Sequence, residues 1–399
     1  MERSEEVNPL AALLRLTAEQ KKERGLLYTP QEVAQQPATW LRTFEMLQSR
    51  QQEIREFLDA SGLCGEADRR PTVLLIGAGT SDYIGHSVQH LLRRMWQCEV
   101  IPVASTSLLT DFDDYLLPER RYLCISFSRS GDSPEGVAVL ERALTERPDI
   151  AHVLVTCNAA GKMNRAVEGK SHCLAIVLDE ETNDRGLAMT SSFSNMVVTG
   201  QFLGYVWKVS EYEPVVHALS KAGESLLPRS ASLASELAAA GHAHACFVGT
   251  AGLAGAAMES ALKMLELTAG AVQTMSQSTL GLRHGPMAAL HRGSLLVAFV
   301  SSQPRRRNYE LDLLREIGSK GLVQTRVAVA ADAASLTGEA ECVLAPEDGA
   351  GVPDLCRPAL DVIFGQLLGL FASMQCGLRP DAPSPSGAIS RVVPGLVIY

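Results

Sequence analysis

The sequence contains the same strand–turn–helix pattern twice, at an almost constant interval. Each copy begins with an apolar run that ends in glycine, and Gly77 of the first copy matches Gly249 of the second, a shift of 172 residues. The next apolar runs keep this shift, and a third pair is shifted by 174. Each half therefore predicts strand, helix, strand, helix, strand, which is typical of an α/β fold with a doubly wound parallel sheet flanked by helices. The matching strands are residues 73–77 and 245–249, 123–127 and 295–299, and 153–158 and 327–332.

The composition limits the class of protein. A chain of 399 residues exceeds one ordinary core, so about two domains are expected. The net charge of −9 argues against a general nucleic-acid binder, because phosphate contacts need a basic face. The charged N-terminus lacks the apolar core of a signal peptide, and no run of about 18 apolar residues predicts a membrane helix. The nine cysteines form no C-x-x-C pair, so we expect a cytoplasmic protein without a metal or a membrane partner.

The segments outside the repeats suggest a helical extension, a helical connection and a tail. Residues 205–240 have helical character, with predicted interruptions at Pro214 and Pro228. The proline-containing tail, which includes Pro394, is long enough to cover a site. The three arginines at 305–307 are interpreted as a solvated charge run. The predicted segments are a helical extension over residues 1–48, sheet-containing domains over 49–210 and 211–376, and the tail over 377–399.

A hydroxyl-rich turn follows the apolar run 122–125. Free N–H groups at the start of the following helix, together with the helix dipole, favour an anion there. Ser128, Ser130 and Ser133 add side-chain donors, which suits a phosphate monoester. Serines before a helix also serve as simple helix caps, and this alternative stays open from the segment alone.

A second turn, Gly79-Thr80-Ser81, follows the first strand of the repeat. It is not a dinucleotide fingerprint, because Asp82 stands where that motif needs its third glycine. No Walker A pattern occurs in the chain. Ligands bind beyond the carboxyl ends of strands in open parallel sheets, so both hydroxyl turns are expected at the same edge. A small phosphorylated metabolite is therefore favoured over a nucleotide cofactor, and no cofactor is expected.

The order of these motifs resembles the sugar isomerase (SIS) domain family, whose members bind phosphosugars. Within it the chain is similar to the isomerase part of glucosamine-6-phosphate synthase and, more narrowly, to the tagatose-6-phosphate ketose/aldose isomerases, also described as galactosamine-6-phosphate deaminase/isomerases. The resemblance implies two tandem SIS domains. The segments that carry it are residues 79–81, 128–133, 261–266, 284–286, 179–186, 188–193 and 383–387.

The resemblance also implies residue roles. Glu266 matches the glutamate that moves a proton between C2 and C1, and His284 matches the ring-opening histidine. In the related synthase that histidine reaches the site of the neighbouring subunit, so a homodimer or a higher homo-oligomer with shared active sites is expected. Lys263 either supports Glu266 or contacts a sugar oxygen, or it forms an ordinary ion pair on the helix surface. The substrate-binding residues implied in this way are Thr80, Ser81, Ser128, Arg129, Ser130 and Ser133.

Two departures from the synthase restrict the reaction. The synthase uses a tail lysine for a Schiff base, whereas no lysine follows Lys320 here and arginine does not readily form an imine. No nucleophilic cysteine of a glutaminase part lies near Met1, so we expect no internal source of ammonia. We therefore expect an isomerase acting on a hexosamine or hexose 6-phosphate, with galactosamine 6-phosphate converted to tagatose 6-phosphate and ammonia as the favoured reaction. A non-catalytic regulator that binds a sugar phosphate is the alternative.

Overall fold

The computed structural model describes residues 8–347, 349–387, 389–391 and 396–399, and the chain forms two compact units. The first unit contains residues 39–183 and 191–216 with the described part of 389–399. The second contains residues 8–38 and 184–190 with the described part of 217–388. Residues 1–7 of the predicted N-terminal extension and Pro394 of the predicted tail lie outside the described residues. The domain limits predicted from the sequence remain a prediction.

Each unit contains one five-stranded parallel sheet. In the first unit the order is β2-β1-β3-β4-β5, and in the second it is β10-β9-β8-β6-β7. The first-unit strands are β1 (Thr72–Gly77), β2 (Val100–Ala104), β3 (Tyr122–Ser128), β4 (Ala151–Thr156) and β5 (Cys173–Val177). The second-unit strands are β6 (His244–Gly249), β7 (Gln273–Ser278), β8 (Ser294–Phe299), β9 (Thr325–Val329) and β10 (Cys342–Leu344).

The two sheets have the same topology. When the second order is written from its other edge, β6 to β10 take the places of β1 to β5. The pairs matched in the sequence are β1 with β6, β3 with β8 and β4 with β9, which confirms the predicted duplicated, doubly wound α/β fold.

The helices precede, connect and cover the strands. Two of them, α4 and α12, contribute residues to both units. None of the described helices is long and apolar enough to cross a membrane. The helices of the N-terminal region are α1 (Pro9–Leu14), α2 (Ala18–Arg24), α3 (Thr29–Ala34), α4 (Gln36–Ser49) and α5 (Gln51–Ala60). Those among and after the first strands are α6 (Thr80–Trp96), α7 (Ser105–Thr110), α8 (Phe112–Tyr115), α9 (Pro134–Glu146), α10 (Lys162–Val167) and α11 (Ser191–Tyr205). The remaining helices are α12 (Val209–Ala240), α13 (Gly252–Leu267), α14 (Pro304–Lys320) and α15 (Pro358–Gln375).

The helix after β1 begins earlier than the sequence predicted. The sequence pattern predicts a helix over residues 83–96, but α6 begins at Thr80, so the hydroxyls of Thr80 and Ser81 lie in its first turn. The cause is a tight turn, because a Cβ on Gly77 would lie 2.2 Å from the carbonyl carbon of Ser81. The glycine thus lets the helix begin almost directly after the strand.

The predicted interruptions at Pro214 and Pro228 are wrong, because α12 runs unbroken from Val209 to Ala240. A proline inside a helix removes one backbone hydrogen bond and costs about 3 kcal/mol. Burial of one face outweighs this cost, since most helix stability in proteins comes from packing. Along α12 the fully buried side chains include Tyr212, Val216, Leu219, Leu226, Ala231 and Ala234.

Candidate active site

The first candidate element is the loop of residues 128–133, which we call the serine loop. It begins at Ser128, the last residue of β3, whose seven residues are all buried, and it leads into α9 at Pro134. Gly131 has a φ of 63°, and a Cβ there would lie 3.3 Å from Gly161 Cα. The loop therefore needs glycine at this position, both for its backbone angle and for its close approach to the next loop.

The serine hydroxyls accept bonds from the loop itself. Ser128 Oγ accepts a hydrogen bond from Gly131 N at 3.1 Å, and Ser130 Oγ accepts one from Asp132 N at 3.2 Å. Because each hydroxyl accepts, its own proton remains available for donation to a ligand. Ser133 occupies the N-cap position of α9 but makes no side-chain capping bond. The helix-cap alternative therefore does not describe Ser133.

Residues from the end of β4 hold the serine loop in place. Asn158 Nδ2 donates to Ser130 O at 2.7 Å, and Asp132 Oδ1 accepts from Lys162 N at 2.9 Å. The Asp132 carboxylate is thus engaged with the start of α10. Our sequence analysis did not identify Asn158, although a polar residue directly after a buried strand was the available signal.

Arg129 is buried and lies against the tail of its own unit. Its carbonyl accepts from Cys157 N at 3.2 Å, and its guanidinium Nη2 donates to Arg391 O at 3.4 Å. Arg391 in turn donates to Asn183 Oδ1 at 3.2 Å. The side chain of this predicted substrate-binding residue thus contacts tail residue Arg391.

The polar residues after β1, β2 and β3 share one edge of the first sheet. The register pairs Gly77 with Ala104 and Ile76 with Ser126, so the carboxyl ends of these strands lie side by side. Thr80 and Ser81, both buried, therefore lie at the same edge as the serine loop, as predicted.

Two unpaired buried polar atoms lie at that edge as well. Ser105 Oγ, at the start of α7, has no hydrogen-bond partner among the described residues, and neither has Asp82 Oδ1 in the first turn of α6. The other Asp82 oxygen lies 3.6 Å from His86 Nε2. Buried polar atoms are normally paired, so unpaired ones beside an anion-favouring loop are typical of a site that binds a polar ligand. Sequence analysis missed Ser105, because β2, the strand directly before it, is not among the strands that the repeat predicts.

In the second unit, α13 carries three charged side chains on one face. Lys263 Nζ lies 2.6 Å from Glu266 Oε2 and 3.4 Å from Glu259 Oε1. The side chains of Lys263 and Glu259 are 1% and 0% exposed, whereas that of Glu266 is 24% exposed. An ordinary surface ion pair is therefore excluded for Lys263. Of the two carboxylates, only that of Glu266 is reached by solvent. Sequence analysis missed Glu259, although its i, i+4 spacing to Lys263 was visible.

The burial of this cluster results from close packing of α15 against α13. A Cβ on Gly365 would lie 2.1 Å from Ser260 Oγ, and one on Gly369 would lie 3.1 Å from Lys263 O. Glycines at these two positions let the helix backbones approach and shield the Lys263 ammonium from water. A buried ammonium needs carboxylate partners, and Glu259 and Glu266 provide them.

His284 lies in the connection between β7 and β8. It is exposed, and Gly285 after it has a φ of 116°. Its backbone N donates to Gly281 O at 3.0 Å. Within the part of the chain that the structure describes, no hydrogen bond or ion pair joins its imidazole to Glu266 or Lys263.

Comparison with known proteins finds relatives over nearly the whole chain. The D-galactosamine-6-phosphate deaminase AgaS of Escherichia coli O157:H7 is 33% identical over 374 residues, covering 93% of this chain and 95% of the relative. The crystal structure of tagatose-6-phosphate ketose/aldose isomerase from Escherichia coli is 30% identical, with a TM-score of 0.81, and the match covers 93% of this chain and 96% of that one. No family model matches the sequence.

A more distant structure shares the fold alone. The C-terminal domain of glucosamine-fructose-6-phosphate aminotransferase from Francisella tularensis is 16% identical, with a TM-score of 0.73 over 88% of this chain and 96% of that one.

Proposed function

Because the chain belongs to the family of the D-galactosamine-6-phosphate deaminases and tagatose-6-phosphate ketose/aldose isomerases, we propose that it is a deaminating ketose/aldose isomerase. The reaction is conversion of galactosamine 6-phosphate and water to tagatose 6-phosphate and ammonia. The observation that carries the proposal is 33% identity to an AgaS deaminase across 93% of the chain. The serine loop and the Lys263–Glu266 pair supply groups that this reaction needs.

The serine loop binds the substrate phosphate. The hydroxyl protons of Ser128 and Ser130 are available as donors, and Ser133 makes no cap with its side chain. Among the described residues, no carboxylate accepts a hydrogen bond from the N–H groups of residues 130–133. An anion there meets the serine hydroxyl donors and the amino end of α9, while the Asp132 carboxylate of the loop accepts from Lys162 N.

Glu266 is the base that moves the proton. Its carboxylate removes the C2 proton of the open-chain aldehyde while the C1 oxygen gains a proton, which gives an enolamine. The proton is then returned to C1 while the amine nitrogen loses one, which leaves a hydroxyl at C1 and an imine at C2. Water adds to that imine and ammonia leaves, so the ketose phosphate is formed. Lys263 lies 2.6 Å from Glu266 and balances its charge in the ionised form.

His284 transfers the proton that opens the sugar ring, and it serves the active site of a second copy of the chain. Its imidazole is exposed and makes no hydrogen bond to Glu266 or Lys263 among the described residues. This supports a role in the active site of the other copy of the chain. Imidazole suits proton transfer to a ring oxygen near neutral pH. The functional molecule is accordingly a homodimer.

The tail is a cover for the phosphate. The contact of Arg391 O with Arg129, which belongs to the serine loop, supports this role. Closure of such a segment keeps bulk water from the enolamine until the imine is ready for hydrolysis.

The test is ammonia release from galactosamine 6-phosphate, with glucosamine 6-phosphate as the substrate control. Release from the galacto epimer supports the proposal. In Glu266→Gln, turnover falls by about 10²–10⁴-fold while the phosphosugar still binds, because the amide cannot accept the C2 proton. Glu211→Gln is the matched control, since Glu211 is an exposed glutamate that pairs only with Lys208 among the described residues.

Other outcomes reject parts of the proposal. Aldose–ketose exchange on galactose 6-phosphate without ammonia release from the amino sugar would show an isomerase whose substrate carries no nitrogen. A raised melting temperature with both amino sugars, with no turnover of any substrate, would favour the regulator. Full activity of Glu266→Gln would reject Glu266 as the base.

A further inference from the structure

The second unit contains a loop at the place that the serine loop occupies in the first. Residues 300–303 follow β8, the central strand of the second sheet, just as the serine loop follows β3, the central strand of the first. Both loops lead into a helix with proline at its first position, Pro304 in α14 and Pro134 in α9. The 300–303 loop is therefore the topological equivalent of the serine loop, and it lies at the start of a helix, where an anion is favoured.

A carboxylate of the chain occupies that position. Asp354 accepts hydrogen bonds from Ser302 N at 2.9 Å and from Gln303 N at 3.3 Å. It also accepts a hydrogen bond from the Ser301 hydroxyl. Backbone N–H groups and a serine hydroxyl at a helix start are the donors that a phosphate uses. Asp354 engages three of them, and a second carboxylate, that of Glu310, accepts from Ser301 N at 2.7 Å.

A buried guanidinium holds Asp354 in this position. Arg357 is fully buried, and its Nη1 lies 3.1 Å from Asp354 Oδ1 and 2.7 Å from Val300 O. Its Nη2 lies 2.7 Å from Asp361 Oδ2. Arg357 thus joins Asp354 to the end of β8, and Asp361 remains its partner if Asp354 is removed.

The space left beside the loop is too small for a phosphate. The cavity, whose polar and charged lining residues are Ser301, Ser302, Arg307 and Asp332, has a volume of about 20 Å³, which admits one water molecule. Serine hydroxyls accept from loop N–H groups in both units, from Gln303 N here and from Gly131 N and Asp132 N in the serine loop. The serine loop differs in that, among the described residues, no carboxylate accepts from Gly131 N or Asp132 N.

We propose that Asp354 is an internal anion that occupies the second-unit equivalent of the phosphate site and closes it to phosphorylated ligands. The comparison with a phosphate site rests on the proposed function of the serine loop, whereas the occupancy by Asp354 does not. Removal of the carboxylate creates an oxyanion site made of Ser301, Ser302 and Arg357.

The experiment compares Asp354→Ala with Asp354→Asn. Both variants lose the negative charge, but only alanine leaves room for an anion. Thermal unfolding is measured for both variants and the wild type in sulfate and in chloride at equal ionic strength. We expect a saturable, sulfate-specific rise in the midpoint of Asp354→Ala, about 2 °C beyond that of Asp354→Asn. Sulfate stabilises all proteins to some extent, and the asparagine variant and the wild type measure this general effect.

Equal sulfate responses of the two variants would overturn the proposal. If Asp354→Ala is not obtained folded, both variants are refolded from urea in sulfate and in chloride. A folded yield that rises in sulfate for the alanine variant alone supports the proposal, and equal yields overturn it. Crystals of Asp354→Ala with selenate provide a direct check, with the anion expected at Ser301 and Ser302. The proposed function is tested separately, because ammonia release does not enter these comparisons.

Discussion

At the scale of single residues, the most informative side chain is Lys263. It is 1% exposed and lies between Glu259 and Glu266, so one ammonium compensates two carboxylates. Removing one partner of a buried ion pair costs about 3–5 kcal/mol, because the remaining charge is left in the interior. Lys263 therefore contributes to stability as well as to the proposed reaction, and these two contributions are separable.

Lys263→Met is expected to lower the free energy of unfolding by about 3–5 kcal/mol, because the fully buried Glu259 loses its counter-charge. The double variant Glu259→Gln/Lys263→Met removes that uncompensated charge and is expected to recover most of the stability. Activity stays low in both, because Glu266 has lost its partner. Urea unfolding and ammonia release measure the two effects, and a double variant as unstable as Lys263→Met would contradict the explanation.

A second residue-scale prediction concerns His152 on β4. Burial, with a smaller effect of His172, lowers the pKa of His152 from 6.5 to about 4. Between these values the unfolded chain binds a proton that the folded chain excludes, so this histidine reduces stability as the pH falls from about 6.5 to 4. Glu32 acts in the opposite sense, because burial raises its pKa to about 8 and the folded chain keeps its proton.

The His152 effect is therefore measured as a difference between wild type and His152→Leu. From pH 7.5 to pH 5, the free energy of unfolding of the wild type is expected to fall by about 2 kcal/mol relative to that of the variant. Urea unfolding at both pH values gives this difference. An identical pH dependence of the two proteins would show that the pKa of His152 is the same in the folded and the unfolded chain.

At the scale of elements, the turns after β1 and β6 show how the duplication is built. A Cβ on Gly77 would lie 2.2 Å from Ser81 C, and one on Gly249 would lie 2.4 Å from Leu253 O. Both glycines thus allow the following helix to begin within a few residues of the strand. In the first unit this brings Thr80 and Ser81 to the edge that holds the serine loop.

Gly77→Ala is expected to displace the first turn of α6, since the new methyl group overlaps the backbone. The expected loss of stability is about 1–3 kcal/mol, as for other overpacked positions, with a higher KM for the phosphosugar. Gly169→Ala is the control, because Gly169 has a φ of 72° but no atom within 4 Å of its Cβ position. The control loses only about 1 kcal/mol and keeps its KM. Equal KM values for both variants would show that the turn at Gly77 does not position the residues that bind the substrate.

At the scale of the whole molecule, the proposed homodimer predicts complementation between inactive variants. Glu266→Gln and His284→Ala are each inactive alone. If His284 serves the active site of the other copy, a mixed dimer contains one site with both residues intact. Random pairing then restores about one quarter of wild-type activity, because half of the dimers are mixed and each has one working site.

The measurement is ammonia release after the two variants are mixed, unfolded and refolded together, with each variant refolded alone as the control. If His284 acts within its own chain, no mixed dimer has a complete site, and activity stays at the level of the single variants. The two arrangements therefore give different results in the same assay.

The sequence alone determined the duplicated α/β fold, the serine loop and the position of Lys263 and Glu266 on one face of a helix. These features depend on residues that are near one another in the chain, since strand–turn–helix order and i, i+3 spacing are local. The helix limits were less well predicted, because α12 continues through Pro214 and Pro228 when its face is buried.

Only the tertiary structure decided which charges are buried and which anion position is already filled. Glu259 and Lys263 are enclosed because Gly365 and Gly369 of α15 let that helix approach α13. Asp354 binds the loop at Ser301, 53 residues away in the chain. Burial and such contacts depend on the packing of segments that are distant in the sequence, and no local pattern encodes that packing.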